Sequence, residues 1–254
     1  MFFTQHTTRS SAQRRWRAVR RHWCYHGRRS FEAALPAHCI VCSARVFKPH
    51  WVCEECESQL IFSTSTHTHS GAQTSATPLV VHDGGLTNVN SFATSLEYSG
   101  IARELLHKWK FENQPELTPY LIDLALRSAR PWPPVDYIVP MPMHWRKRLE
   151  RGYNQSALLA SALSRPLSQR QCRPLTVLSA LKANAHAKPQ HQLTREQRLR
   201  VAGTRIVAAR PLPGASILLV DDVITTGATL SAAADCCRQA GARAVHAWTL
   251  TSAP

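Results

Sequence analysis

ILLVDDVITTGATL, residues 217–230, joins an apolar run to two adjacent carboxylates, Asp221 and Asp222, and then to a small-residue turn. The spacing predicts a buried strand over 217–220 and a helix over 228–240. Between them, Thr225, Thr226, Gly227, Ala228 and Thr229 form the start of the helix. A helix N-terminus has unpaired N–H groups and a dipole that favours an anion, so this turn suits a phosphate. The acids just before it can accept hydrogen bonds from sugar hydroxyls. Together the two elements read as a device for a sugar phosphate. Twin Asp at a strand end also suits a simple turn or capping role.

Outward from this stretch, strands and helices alternate. Strands are expected at 92–97, 135–140, 176–181, 204–208, 217–220 and 243–250. Helices are expected at 100–111, 115–128, 155–163 and 228–240. Residues 182–200 are polar, lack a clear period and read as a long loop. Strands separated by helices imply an α/β fold with a parallel sheet covered on both faces. Ligands of such sheets sit at the carboxyl ends of the strands, near the point where strand order reverses. Asp221–Thr229 and Pro140–Asn154 both emerge at such ends.

Four short segments, in order, carry a resemblance. They are Tyr98-Ser99-Gly100 with Lys108-Trp109-Lys110-Phe111; Val139-Pro140-Met141-Pro142 with Arg151-Gly152-Tyr153-Asn154-Gln155; Pro189-Gln190 with Leu193-Thr194 and Arg198; and the twin-acid stretch itself. The chain from about Cys39 onward is similar to the ComF family of competence-related proteins. Its twin-acid stretch resembles the phosphoribosyl pyrophosphate (PRPP) motif of type I phosphoribosyltransferases. The resemblance implies a parallel-sheet type I phosphoribosyltransferase fold with a small N-terminal zinc module. It implies PRPP and Mg²⁺ as ligands and a context of DNA uptake or utilisation. Asp221 and Asp222 would hold the ribose hydroxyls, and Thr225–Thr229 the 5′-phosphate. Pro140, Met141 and Arg151, with Arg146, Lys147 and Arg148 nearby, would face the pyrophosphate. The 182–200 loop would close over the site, Arg195 and Arg198 being its best pyrophosphate contacts because Arg matches phosphate oxygens bidentately. The chain departs from the family pattern at Val201, where relatives have Asn, and at Ala187-Lys188, where they have Thr before Pro-Gln. A second Cys pair present in many relatives is replaced by a Ser/Thr/His-rich segment and Gly84-Gly85.

Cys39-x2-Cys42 and Cys53-x2-Cys56 form a zinc signature. Two residues between thiolates let both reach one ion at about 2.3 Å, and two such pairs complete a tetrahedron. Four Cys leave no open coordination position, so the site reads as structural Zn²⁺. An iron–sulfur cluster or a redox pair uses the same residues. The expected organisation is a disordered basic arm over 1–35, the zinc module over 36–62, a flexible linker over 63–78 and the transferase-like domain over 79–254.

The chain has 254 residues, with 31 Lys and Arg against 16 Asp and Glu, a net +15. Between Tyr137 and Arg210 stand 14 Lys and Arg against only Glu150 and Glu196, a local +12. Positive charge near a pyrophosphate-ester site steers the anion in, and the same patch suits single-stranded nucleic acid, with Trp145 and Tyr153 among the cations. A PRPP-sensing protein without turnover would use the same site residues. No apolar run approaches the roughly 18 residues of a membrane span. The first thirty residues hold eight Arg and no acid, with no apolar core of a secretory signal. Cysteine usage fits a reducing cytoplasm.

Overall fold

The computed structural model describes residues 36–47, 51–63, 66–68, 86, 88–128, 132–184 and 206–253. The chain divides into two compact units, with the boundary after Ser58.

In the first unit, β1 (Pro36–His38) and β2 (Arg45–Phe47) pair antiparallel, and α1 (Glu54–Ser58) follows. Cys39 closes the hairpin turn. Its N–H donates to Ala44 O at 2.7 Å, and its carbonyl accepts from Ser43 N at 2.9 Å. Cys53 O accepts from Glu57 N at 2.9 Å and so starts α1. Both Cys pairs thus sit on tight turns. Cys39, Val46, Val52 and Cys56 are buried.

The second unit is built on a six-stranded sheet. Its elements are β3 (Thr66–Thr68), β4 (Ser91–Glu97), α2 (Gly100–Phe111), a 3₁₀ turn (Pro115–Leu117) and α3 (Thr118–Arg127). There follow β5 (Tyr137–Pro140), α4 (Trp145–Arg151), α5 (Gln155–Arg170), β6 (Thr176–Val177), β7 (Leu181–Ala183) and β8 (Ile206–Ala208). The chain closes with β9 (Ser216–Ile224), α6 (Ala228–Gln239) and β10 (Ala244–Ser252). The strand order is β3-β4-β10-β9-β5-β6, with every pair parallel except β3 with β4.

From β5 the chain crosses outward to β6; from β9 it crosses the opposite way to β10. Right-handed crossovers therefore put α5 and α6 on opposite faces. The packing agrees. α5 lies against β5, β6, β9 and α3, whereas α6 lies against β9, β10, β7 and β8. Alternate strand residues Val139, Ile217, Leu219, Val245 and Ala247 share one buried cluster with Leu230, Ala233, Ala234 and Cys237 of α6. The switch in direction falls between β5 and β9.

The sequence reading places no helix at α4, and four further elements differ from it. First, β9 continues through both acids to Ile224 because β10 keeps pairing with it, Thr249 opposite Asp221 and Thr251 opposite Val223. Second, α5 runs past Pro166 to Arg170. The proline removes one helix hydrogen bond, but Leu159, Leu163 and Leu167 continue one fully buried stripe across it. Third, the expected strand over 176–181 is two strands: β6 joins the main sheet, and β7 pairs antiparallel with β8. Fourth, the segment expected to be a linker is partly sheet. Thr66–Thr68 pair with Ser91–Ala93.

Candidate functional site at the strand switch point

β5 stops at Pro140, opposite Val220. Pro140 and Pro142 have no N–H to continue a ladder, and the last link is Met141 N to Val220 O at 2.9 Å. β9 and β10 extend four residues further. The tip of β9 is therefore paired on the β10 side and released on the β5 side. Asp221 and Asp222 stand on that tip.

The Asp221 carboxylate is held by its neighbours. Its Oδ1 accepts from Ser156 Oγ at 2.8 Å and from Asp222 N–H at 2.9 Å. Burial pushes its pKa up to about 7, helped by the adjacent Asp222 charge; Ser156, the Asp222 amide and Lys110 pull the other way. Asp222 is paired with Lys110, whose Nζ lies 2.9 Å from Oδ2, both side chains being about 15% exposed (14% and 15%).

Asp221 shares a rung with Thr249 and Thr94. Among the described residues, the hydroxyls of both threonines and both amide atoms of Gln155 are buried without a hydrogen-bond partner. Buried polar atoms are normally paired, so these side chains stand out beside the twin acids.

Beyond β9, Thr225, Thr226 and Thr229 are exposed. Gly227 caps α6 with φ +74°, a left-handed backbone that costs glycine little. Ala228 N–H donates to Thr226 Oγ1 at 3.4 Å. The turn thus presents the N-terminus of a twelve-residue helix beside the twin acids.

Pro140–Asn154 supplies the facing wall. Asn154 Nδ2 donates to Met141 O at 3.0 Å, while its Oδ1 caps α5 by accepting from Ser156 N at 3.1 Å. The cap therefore fixes both the loop and the serine that holds Asp221. Tyr153 OH donates to Trp109 O. α4 buries none of its side chains. It ends at Gly152 in the left-handed region, φ +76°. Arg146 lies over the Trp145 ring at 5.3 Å, and Arg151 over Phe111 at 4.9 Å. Trp145 and Leu149 are 54% and 75% exposed.

The structure thus brings together Asp221, Asp222, Met141 and the 225–229 turn. Arg151 stacks on Phe111. Arg195 and Arg198 lie outside the described residues. Sequence reasoning missed Lys110, Ser156, Gln155, Thr94 and Thr249. For Lys110 a signal existed: it stands four residues after buried Leu106 and beside buried Trp109 on α2, and a cation on such a face needs an anion. Ser156 looked like an ordinary residue of a helix start.

In the N-terminal unit, the four ligand sulfurs of Cys39, Cys42, Cys53 and Cys56 all lie within 4.8 Å of one another, Cys42 and Cys53 at 3.5 Å. A tetrahedral ion with bonds of about 2.3 Å needs sulfurs about 3.8 Å apart. The four thiols fit such a metal. A separate cleft of about 590 Å³ lies along the C-terminal half of α5, lined by Ser161, Ser164, Arg165, Cys172 and Arg173. Its Arg173 is already paired with Asp136 at 2.9 Å, and it lies at the far end of α5 from Ser156. Among the described residues, no helix is long and apolar enough to cross a membrane.

The Phosphoribosyl transferase domain family matches residues 154–254, which span α5 through β10 and include the twin acids and their turn. Competence protein F of Haemophilus influenzae is 32% identical over 158 residues, covering 59% of this chain and 67% of the relative. DNA utilization protein YhgH of Escherichia coli strain K12 is 32% identical over 164 residues, covering 62% and 70%. Competence protein ComFC of Bacillus subtilis is 31% identical over 156 residues, covering 60% of each chain. The chain belongs to the ComF family of competence-related proteins.

Proposed function

We infer that this ComF-family chain binds PRPP in the crevice between β5 and β9 and acts on it as a phosphoribosyltransferase, in a DNA-utilisation or competence setting. One observation carries the reading: the twin-acid tip and the capped start of α6 meet at the sheet's switch point, where such sheets take their ligands. The 5′-phosphate would lie against the N–H groups at Gly227–Thr229 and the hydroxyls of Thr225, Thr226 and Thr229. The ribose hydroxyls would donate to Asp221 and Asp222. Pro140–Met141 would border the pyrophosphate, with Arg151, Arg195 and Arg198 as its cations.

The chemistry is displacement at the anomeric carbon. A nucleophile bonds to that carbon as the bond to pyrophosphate breaks, and pyrophosphate leaves with the electron pair. Mg²⁺ bound with PRPP would supply charge neutralisation to the pyrophosphate leaving group. The protein's part is to hold the ribose and to place the Asp221 and Asp222 charges near the positive charge that develops on the ring. Asp221 accepts a hydroxyl best when ionised, so PRPP affinity should rise with pH through about 7. The four-cysteine site would hold one Zn²⁺, which supplies folding free energy to a unit too small to build a large core.

The test is calorimetric titration with PRPP and Mg²⁺, alongside an assay for released pyrophosphate. Binding and release that disappear in the D221N/D222N double variant support the reading. Equal binding by the two proteins refutes it.

A second reading has its own observation. The exposed Trp145 with Arg146, and Phe111 with Arg151, put stacking faces among cations, an arrangement suited to single-stranded nucleic acid. Oligonucleotide binding that weakens steeply with salt and falls in Trp145→Ala supports it. Salt-independent or absent binding counts against it.

A further inference from the structure

The last turn of α2 grips the site from three consecutive residues. The Trp109 carbonyl holds Tyr153, the Lys110 ammonium holds Asp222, and the Phe111 ring carries Arg151. Tyr153 and Arg151 belong to the β5–α5 connection, and Asp222 to the β9 tip. One turn of helix therefore ties together both walls of the crevice. Of these three residues, Lys110 carries the charge.

We propose that Lys110 is a positioning residue that makes the twin-acid tip tolerant of a polyanion, by fixing the Asp222 carboxylate and cancelling its charge. The proposal rests on the ribose-phosphate reading of the site. Two neighbouring carboxylates alone would repel a ligand that carries a phosphate and a pyrophosphate. Charges a few ångströms apart interact strongly where water is largely excluded, and both Lys110 and Asp222 are largely withdrawn from water. Lys110 bonds Oδ2 of Asp222. A carboxylate has about four acceptor positions and an ammonium three donors. Asp222 therefore keeps capacity for a sugar hydroxyl, and Lys110 keeps capacity for a ligand oxygen.

The cations of α4 do not share this geometry. That helix buries no side chain, and its Arg151 lies over the Phe111 ring rather than against the acids. They suit steering an anion inward, whereas Lys110 acts at the acids themselves. The groups that face Asp221 are Ser156 from α5, Asp222 from its own strand and Lys110 from α2. Because Lys110 favours the ionised form of Asp221, removing it should leave that carboxyl protonated to higher pH.

The experiment compares wild type, Lys110→Met and Lys110→Arg. Met keeps the apolar stem and removes the charge; Arg keeps the charge. PRPP–Mg²⁺ affinity at pH 8 should fall about tenfold or more in Lys110→Met and stay within a few-fold of wild type in Lys110→Arg. The loss should be smaller at pH 6, where Asp221 is protonated. In an Asp222→Asn background, Lys110→Met should have little further effect. Equal or tighter binding by Lys110→Met overturns the proposal. A second arm needs no ligand. In both proteins thermal stability should begin to fall near the unfolded carboxyl value of about 4, and in Lys110→Met the fall should continue to higher pH than in wild type; curves that superimpose on wild type overturn the proposal. If wild type itself does not bind PRPP, the ribose-phosphate reading fails, and the stability arm still decides whether Lys110 sets the charge of the acid pair.

Discussion

Replacing Asp221 with Asn should stabilise the free protein and abolish its ligand binding. The carboxyl rises from an ordinary 3.8 to about 7 in the folded protein. Its proton affinity is therefore higher folded than unfolded, where an Asp titrates near about 3.9. The sign follows from proton linkage. Below about pH 4 both states are protonated and the group's full contribution is present. As pH rises toward about 7 the unfolded chain releases its proton first, and stability is lost. Roughly three pH units at about 1.4 kcal/mol each give a loss of about 4 kcal/mol by pH 8. Asn carries no charge to bury, and its Oδ1 can still accept from Ser156. Allowing for the lost strength of that bond, Asp221→Asn should gain about 2–4 kcal/mol at pH 8 and nothing at pH 4. For a domain of this size that is a rise in Tm of about 4–15 °C. Thermal melts of both proteins across pH 4–8 supply the assay. A difference in Tm that does not change with pH, or an Asn variant less stable at pH 8, would show that burial does not raise the Asp221 carboxyl.

Further expectations are narrower. Gly241 has φ +99°, and an added Cβ would lie 3.3 Å from Pro213 Cα; Gly241→Ala should cost about 1–3 kcal/mol, seen as a lower urea midpoint with an unchanged slope. Tyr153→Phe loses the bond to Trp109 O and should cost about 1 kcal/mol, together with weaker PRPP binding because the β5–α5 connection loosens; a change in stability alone would separate the loop from the site. Metal analysis should find about one zinc per chain, and Cys42→Ser should lose it while the Tm of the larger unit stays within a degree or two.

The sheet was legible because its central strands are near-continuous apolar runs closed by polar tips, and the helices because Leu105, Leu106 and Trp109, or Leu159 and Leu163, recur at helical spacing. Pairing was less legible. Leu181–Ala183 looks like a continuation of Thr176–Val177, and only tertiary contact with Ile206–Ala208 sends it to a separate ladder. Pro166 reads locally as a stop, yet the buried stripe of α5 overrides it. At the site, the acids and their turn are contiguous in sequence and could be read directly. Lys110 and Ser156 reach the acids from 112 and 65 positions away, so their roles depend on the packing of α2 and α5 on the sheet. The stacking of Arg151 on Phe111 is likewise a long-range pairing that no local pattern encodes.

A crystal of the protein soaked with ribose 5-phosphate bears most directly on the central claim. The account predicts density with its phosphate against the amides of Gly227–Thr229 and its hydroxyls within about 3 Å of the Asp221 and Asp222 carboxylates. Sugar phosphate bound elsewhere on the molecule, with the β9 tip bare at saturating ligand, would contradict it.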